Sequence, residues 1–480
     1  MLVKTLKQVR DMDKTFKKVT DMLQKETGVA GGVFAVFRDG EVIYKNKFGM
    51  ADKEEGREMT YTCSFDIASC SKAWTVMLLA QAVDEGLVKW DQPIKEVFPD
   101  FGMGDEYASN HASIRDLASH RTGFAYHDFL REKVGTSRRY LTKKTALLPN
   151  EWDFRTEYHY NNHMFIVLGD LLEHLYGKRW EELCVEKIAK PLGIKDVRFR
   201  GNKGNMDNLE RALPYACDGY KTFRCGYADN PFSGPCGGIK ISLPEFLKWA
   251  MAMAKGGVCE DGTRLCSEEQ FKQIIEPAIP STEENGFGIL GSTYCMAWHR
   301  AVYRGVDVVY HSGGLSGFNT QVGFLPGKNE GYALIVNSGS NPTSDMLKHM
   351  ALDYIIDGKP ADNYDDMFAA WAKRRDAARA KLAAGFDGTP ITAATDPGLV
   401  GTFFHPGYED FSIEERDGQL WFLYGDFQAK LVRSAADGEI VGFTGVMDGM
   451  EPDRVDLKVN GNDLLLRHSA SSIWFPFVRQ

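Results

Sequence analysis

Between Val400 and Gln480 the chain reads as eight short runs: "VGTFF", "DFSIEE", "QLWFLYG", "FQAKLVR", "EIVGFTGV", "RVDLKVNG", "DLLLRHS" and "SIWFPFVRQ". Asp417-Gly418, Asp437-Gly438, Asp448-Gly449 and Asn460-Gly461 punctuate them. Asp-Gly and Asn-Gly supply the positive φ angles of tight hairpin turns. Eight short strands in so small a stretch predict a closed β-barrel, because closure removes exposed sheet edges.

The rest of the chain has a different rhythm. Residues 357–398 change composition: "DGKPADNYDD" leads into an Ala/Arg/Lys-rich helix ending near Gly385, then "DGTPITAATDPG". This marks a connector, here 359–396, between a body at 1–358 and the barrel at 397–480. In the body, Leu6, Val9, Met12, Phe16, Val19 and Leu23 recur at helical spacing and predict an amphipathic first helix. Two strand-like runs then flank Asp39-Gly40, a hairpin signal. Helices dominate the middle. From 291 to 338, "STYCMAWHRAVY", "VDVVYHSG", "NTQVGFLPG" and "GYALIVNSG" suit an antiparallel meander that the first hairpin extends. Strands at both ends with helices between them make the body α+β.

Net charge is −9, and no domain-sized basic patch marks a nucleic-acid partner. No stretch approaches a membrane span, and the charged N-terminal segment is not a signal peptide. Nine scattered cysteines without a C-x-x-C pair read as buried free thiols of a cytoplasmic protein, with a Cys259–Cys266 disulfide as the alternative.

Chemistry concentrates in three places. "DIASCSKAW" sets Ser69 three residues before Lys72, ahead of the apolar run "WTVMLLAQAV". Positions i and i+3 share a helix face. A serine at a helix N-terminus meets N–H groups that favour developing negative charge, and a buried lysine one turn on can take its proton. Taken alone, a cap beside a surface lysine explains the same residues. "YHYNNHMF" adds Tyr160 two residues before Asn162, a phenol for base work and an amide for substrate. "VVYHSGGLSG" adds His311, Gly313 and Gly314 near a strand end, where the N–H of Gly314 could complete an oxyanion hole with that of Ser69. His127-Asp128 either lines the pocket or forms a structural pair, and His159 with His163 lacks a third metal ligand.

Ser-x-x-Lys, Tyr-x-Asn and His-x-Gly, in that order, resemble the serine β-lactamase and penicillin-binding-protein superfamily. The likeness is greatest to its class C-like branch of D-aminopeptidases, family VIII esterases and acyl-transferring relatives. It spans about residues 5–355, and "LASHRTGF" and "PCGGIKIS" fit it as well. The barrel is similar to the lipocalin-like domain of some members. The resemblance implies that Ser69 is the acylated nucleophile, that Lys72 activates it, and that Tyr160 accepts its proton. Asn162 would hold Lys72 and the substrate amide. His311 stands where many members carry the lysine of Lys-Thr-Gly, which weakens the anchor for a substrate carboxylate. The expected activity is cleavage of an amide or ester bond in a small molecule or short peptide, without cofactor or metal. The alternatives are acyl transfer or cyclisation through the same intermediate, and a binding or sensing protein with little turnover. The barrel either caps the cleft or builds a homo-oligomer.

Overall fold

The computed structural model describes residues 2–128, 130, 137–201, 210–217, 222–226, 230–281, 287–315, 317–339, 341–384, 386–425, 427–434, 440–443, 454–468 and 471–480. The body is built on a nine-stranded antiparallel sheet. Its strands are β1 (Gly31–Arg38), β2 (Glu41–Asp52), β3 (Arg57–Glu58), β4 (Ile279–Pro280), β5 (Ile289–Tyr294), β6 (His299–Tyr303), β7 (Val306–Leu315), β8 (Phe318–Leu325) and β9 (Glu330–Val336). They lie in the order β3-β2-β1-β9-β8-β7-β6-β5-β4. The first hairpin thus joins the late meander through β1 and β9, with Val33 opposite Ile335 and Ala35 opposite Ala333. Asp39 and Gly40 both take positive φ at its turn.

Period-two alternation along β1 supplies both faces of the sheet. Phe34 and Val36 pack with Met12, Phe16, Val19 and Leu23 of helix α1 (Leu2–Thr27) and with Met346 and Met350 of a late helix, Thr343–Asp357. Val33, Ala35 and Phe37 face the other way, into the larger core around Trp74 and Trp249. A sheet buried on both faces carries apolar residues at successive positions rather than alternate ones. In α1, Leu6 is 58% exposed, so the apolar stripe starts further along than its spacing indicates.

One expectation is corrected, and the disulfide alternative is not formed. "STYCMAWHRAVY" is not one strand: the chain reverses between β5 and β6, with Ala297 at φ 60°. Cys259 and Cys266 are both buried and both free.

The barrel strands are β10 (Gly401–His405), β11 (Glu409–Arg416), β12 (Gln419–Tyr424), β13 (Phe427–Ser434), β14 (Ile440–Phe443), β15 (Arg454–Asn460), β16 (Asp463–His468) and β17 (Phe475–Arg479). Each pairs antiparallel with the next, and β10 pairs with β17, which closes the ring. Asp417 and Gly418 adopt the expected positive φ, whereas Asp437-Gly438 and Asp448-Gly449 lie outside the described residues. Inside, Phe403, Phe411, Phe422, Leu431, Leu457, Leu466 and Phe477 are buried and in one cluster with the body core. The connector holds its helix at Tyr364–Ala384 and also a strand, Phe386–Pro390, which pairs with β13. That strand moves the start of the barrel sheet into the connector.

Candidate active site

Ser69 sits in a 3-10 turn, Ala68–Ser71, that runs straight into helix α2 (Lys72–Asp84). Every residue of α2 from Lys72 to Ala82 is buried, as expected for a helix apolar all round. Ala68 is held at φ 48°, a left-handed conformation unusual for a residue with a side chain. Ser69 is half-buried, while Lys72 is fully buried.

Lys72 Nζ donates to Ser69 Oγ at 3.0 Å, to Asn162 Oδ1 at 2.7 Å and to the Cys236 carbonyl at 2.7 Å. It also lies 4.7 Å from the centre of the Tyr160 ring and 5.4 Å from that of Phe165. Dipoles and ring faces thereby replace the water that an ammonium loses on burial. Tyr160 and Asn162 reach this point because Asn161 caps helix α3 (Asn162–Tyr176), accepting from the Met164 N–H at 3.1 Å. The cap leaves Tyr160 just before the helix and Asn162 in its first turn. Asn162 then donates from Nδ2 to Asp128 Oδ2 at 2.9 Å. Its amide thus bridges a carboxylate and the buried ammonium.

His311 lies on β7, its ring centre 6.5 Å from that of Tyr160. Its Nδ1–H donates to the Ser312 carbonyl at 2.5 Å, and Nε2 accepts from the Tyr294 hydroxyl at 2.9 Å. Burial, then His299 and Lys72, hold its proton affinity far below that of a free imidazole. His311 is therefore neutral with both ring nitrogens occupied. His120, whose ring centre is 4.3 Å from that of Tyr160, is neutral for similar reasons: burial first, then Lys72 and His311.

Gly313 lets β7 run against the turn that carries Ser69. A Cβ there would meet the Ile67 carbonyl oxygen at 2.3 Å. Gly314, next along, is exposed at the mouth. The residues singled out in the sequence thus converge from α2, α3 and β7. Three contributors were missed or left open. The Cys236 carbonyl has no side-chain signature. Tyr294 reaches His311 only through strand packing. Asp128, left open between lining the pocket and a structural pair with His127, accepts from Asn162 beside Lys72. Cys70, expected in the core, is buried with its thiol towards the His311 carbonyl. His163 bonds Thr145, and among the described residues no group of three or more His, Cys, Asp or Glu could hold a metal. Among those same residues no helix is long and apolar enough to cross a membrane.

The family model described as Beta-lactamase matches residues 12–355, which include every residue of this cluster. The chain belongs to the beta-lactamase family. Among curated members of similar sequence, the unguisins hydrolase ungD' of Aspergillus campestris is 26% identical over 454 residues, covering 89% of this chain and 82% of that one. The D-aminopeptidase of Brucella anthropi is 30% identical over 232 residues, 46% of this chain and 41% of its own. Penicillin-binding protein 4 of Amycolatopsis lactamdurans is 24% identical over 331 residues, 66% of this chain and 84% of its own. Among solved structures, the octameric penicillin-binding protein homologue from Pyrococcus abyssi superposes with a TM-score of 0.61 at 18% identity, covering 98% of this chain and 99% of that one. That chain has the same fold across both the body and the barrel.

Proposed function

We propose that this chain is a serine hydrolase that cleaves an amide or ester bond through an acyl-enzyme on Ser69. The observation that carries the reading is the 3.0 Å contact between Lys72 Nζ and Ser69 Oγ, made by a lysine with no access to solvent. Ser69 Oγ attacks the substrate carbonyl, and its proton leaves through the Lys72–Tyr160 pair. The oxyanion is held by the N–H groups of Ser69 and Gly314. The bond to the leaving amine or alcohol breaks as the proton is returned to that group. Water, activated from the Tyr160 side, then attacks the Ser69 ester and releases the acid and the free serine. Relatives named as hydrolases and as a D-aminopeptidase support this reaction class.

The neutral His311 shapes the substrate. With both nitrogens engaged and no positive charge, it offers a weak grip on a carboxylate beside the scissile bond. Peptide amides and esters whose leaving side is uncharged fit better than penicillins.

The test is a panel of short acyl p-nitrophenyl esters, D- and L-amino-acid anilides and a chromogenic cephalosporin, run with wild type and Ser69→Ala. Esters or anilides should turn over faster than the cephalosporin, and Ser69→Ala should lose about 10³-fold or more in rate. A fluorophosphonate should label wild type at Ser69. Undiminished activity in Ser69→Ala together with no labelling would sink the proposal. Adding amines to the assay and analysing products shows whether water is the acceptor.

A further inference from the structure

One contact between the barrel and the body is a buried hydroxyl. Between β10 and β11 the chain turns through Pro406, Gly407 and Tyr408. Gly407 presses on the body so closely that a Cβ would stand 2.5 Å from Leu148. Lys144 donates to the Pro406 carbonyl at 2.9 Å, and Tyr140 bonds the Glu409 carboxylate. Tyr408 is buried, with its carbonyl accepting from the Tyr424 hydroxyl at 2.9 Å. Its own hydroxyl lies 2.6 Å from His127 Nδ1.

His127 leaves no doubt about the direction of that bond. Its Nε2 stands 3.1 Å from the Pro149 carbonyl, which can only accept, so Nε2 carries the proton. Burial holds the imidazole neutral, with its proton affinity lowered to about 3. Nδ1 is therefore bare and accepts from Tyr408. The Phe475 ring of β17 closes the other side, 5.2 Å from His127 centre to centre.

The next residue is Asp128, the carboxylate that holds Asn162. The same segment is fixed to α3 from its other end, where Asn161 Nδ2 donates to the Ala125 carbonyl at 3.0 Å. Residues 124–128 thus lie clamped between the N-terminus of α3 and a barrel turn.

We propose that Tyr408 is a positioning residue for the catalytic lysine: through His127 the barrel sets Asp128, which orients Asn162 on Lys72. The barrel is on this account part of the active-site scaffold, beyond any role as cap or oligomer surface. The inference rests on the acyl-enzyme reading above. A simple tether would dock through exposed side chains. This one ends in a buried hydroxyl aimed at a neutral imidazole, one residue from a carboxylate in the lysine network. A buried acceptor deprived of its donor repacks rather than staying unpaired.

The experiment uses the full chain and p-nitrophenyl butyrate, with fluorophosphonate labelling of Ser69 as a second readout. Tyr408→Phe keeps the ring and removes the hydroxyl. It should lower kcat roughly tenfold with KM within about twofold of wild type. Asp128→Asn should do the same or more. Because both act through one relay, the double variant should be no worse than the more damaging single one. Leu457→Ala, in the barrel core away from the turn, should lower the melting temperature and leave kcat unchanged below it. Wild-type kcat in folded Tyr408→Phe, or losses that multiply in the double variant, overturns the relay. If Tyr408→Phe does not fold, His127→Gln tests the same bond from the body side, and wild-type kcat there overturns it equally. Ser69→Ala with full activity would sink the acyl-enzyme reading, whereas an inactive Ser69→Ala beside a fully active Tyr408→Phe sinks only the relay.

Discussion

Lys72 is buried, and its amine donates to the Ser69 hydroxyl, the Asn162 amide oxygen and the Cys236 carbonyl. Those polar partners offset the loss of water on burial, and Asp128 lies one amide further out. Lys72→Met should therefore abolish measurable ester turnover and also leave Asn162 and the Cys236 carbonyl without their donor. Gly313 gives a sharper test of placement. Ala at Gly313 cannot fit against Ile67 without moving β7. Gly313→Ala should cost roughly 10²-fold in kcat, with far-UV circular dichroism unchanged. A wild-type rate would show that the strand can shift freely. Ser69, Lys72, Tyr160 and Asn162 were legible because each pair is separated by a short, fixed spacing that local structure converts into geometry. Cys236 was not, since any residue type supplies a carbonyl. Tyr294 was not, because its partner His311 is reached across the sheet.

At the scale of elements, capping and periodicity account for most of what was foreseen. Asn161 starts α3, and Gly177 ends it at φ 63°. Gly86, just past the end of α2, takes φ 73°. The split of β5 from β6 was missed because "CMAW" is as apolar as the strands beside it; its turn is set by Ala297 in a left-handed conformation that sequence does not advertise. The helix Arg138–Thr145 shows another hidden dependence. Arg138 is buried and bonds Glu173, Glu181 and the carbonyls of Pro231 and Phe232, tying four segments together. Arg138→Met would remove the buried cation that pairs with Glu173 and Glu181. It should destabilise the body by about 3–5 kcal/mol, read as a lower first transition in calorimetry. An unchanged transition would mean that the carboxylates find water.

Across the whole molecule, buried histidines set the response to acid. His120, His127, His299 and His311 have proton affinities depressed mainly by burial, to about 3 for His127 and His299. In the unfolded chain they titrate near pH 6.5. Below that pH the unfolded state takes up protons that the folded state refuses. Stability from these groups is therefore complete above about pH 6.5 and falls as the pH drops towards 3. At pH 5.5 each withdraws about 1.4 kcal/mol. Urea midpoints should fall clearly between pH 7.5 and 5.5, and equal midpoints would contradict this account. The barrel core and body core form one apolar cluster, so both should register the loss.

Local spacing and turn chemistry pointed to an α+β body, a helical connector and an eight-stranded closed barrel, and marked Ser69–Lys72 and Tyr160–Asn162 as candidate pairs. These features depend on residues close in sequence, where backbone sterics and periodicity act directly. Only the tertiary structure decided that His311 is neutral and fully bonded, that Cys236 lends its carbonyl to Lys72, and that Tyr408 of the barrel meets His127 beside Asp128. Those contacts join residues 17, 164 and 281 positions apart. Burial and packing select them, and neither can be read from any single stretch of sequence.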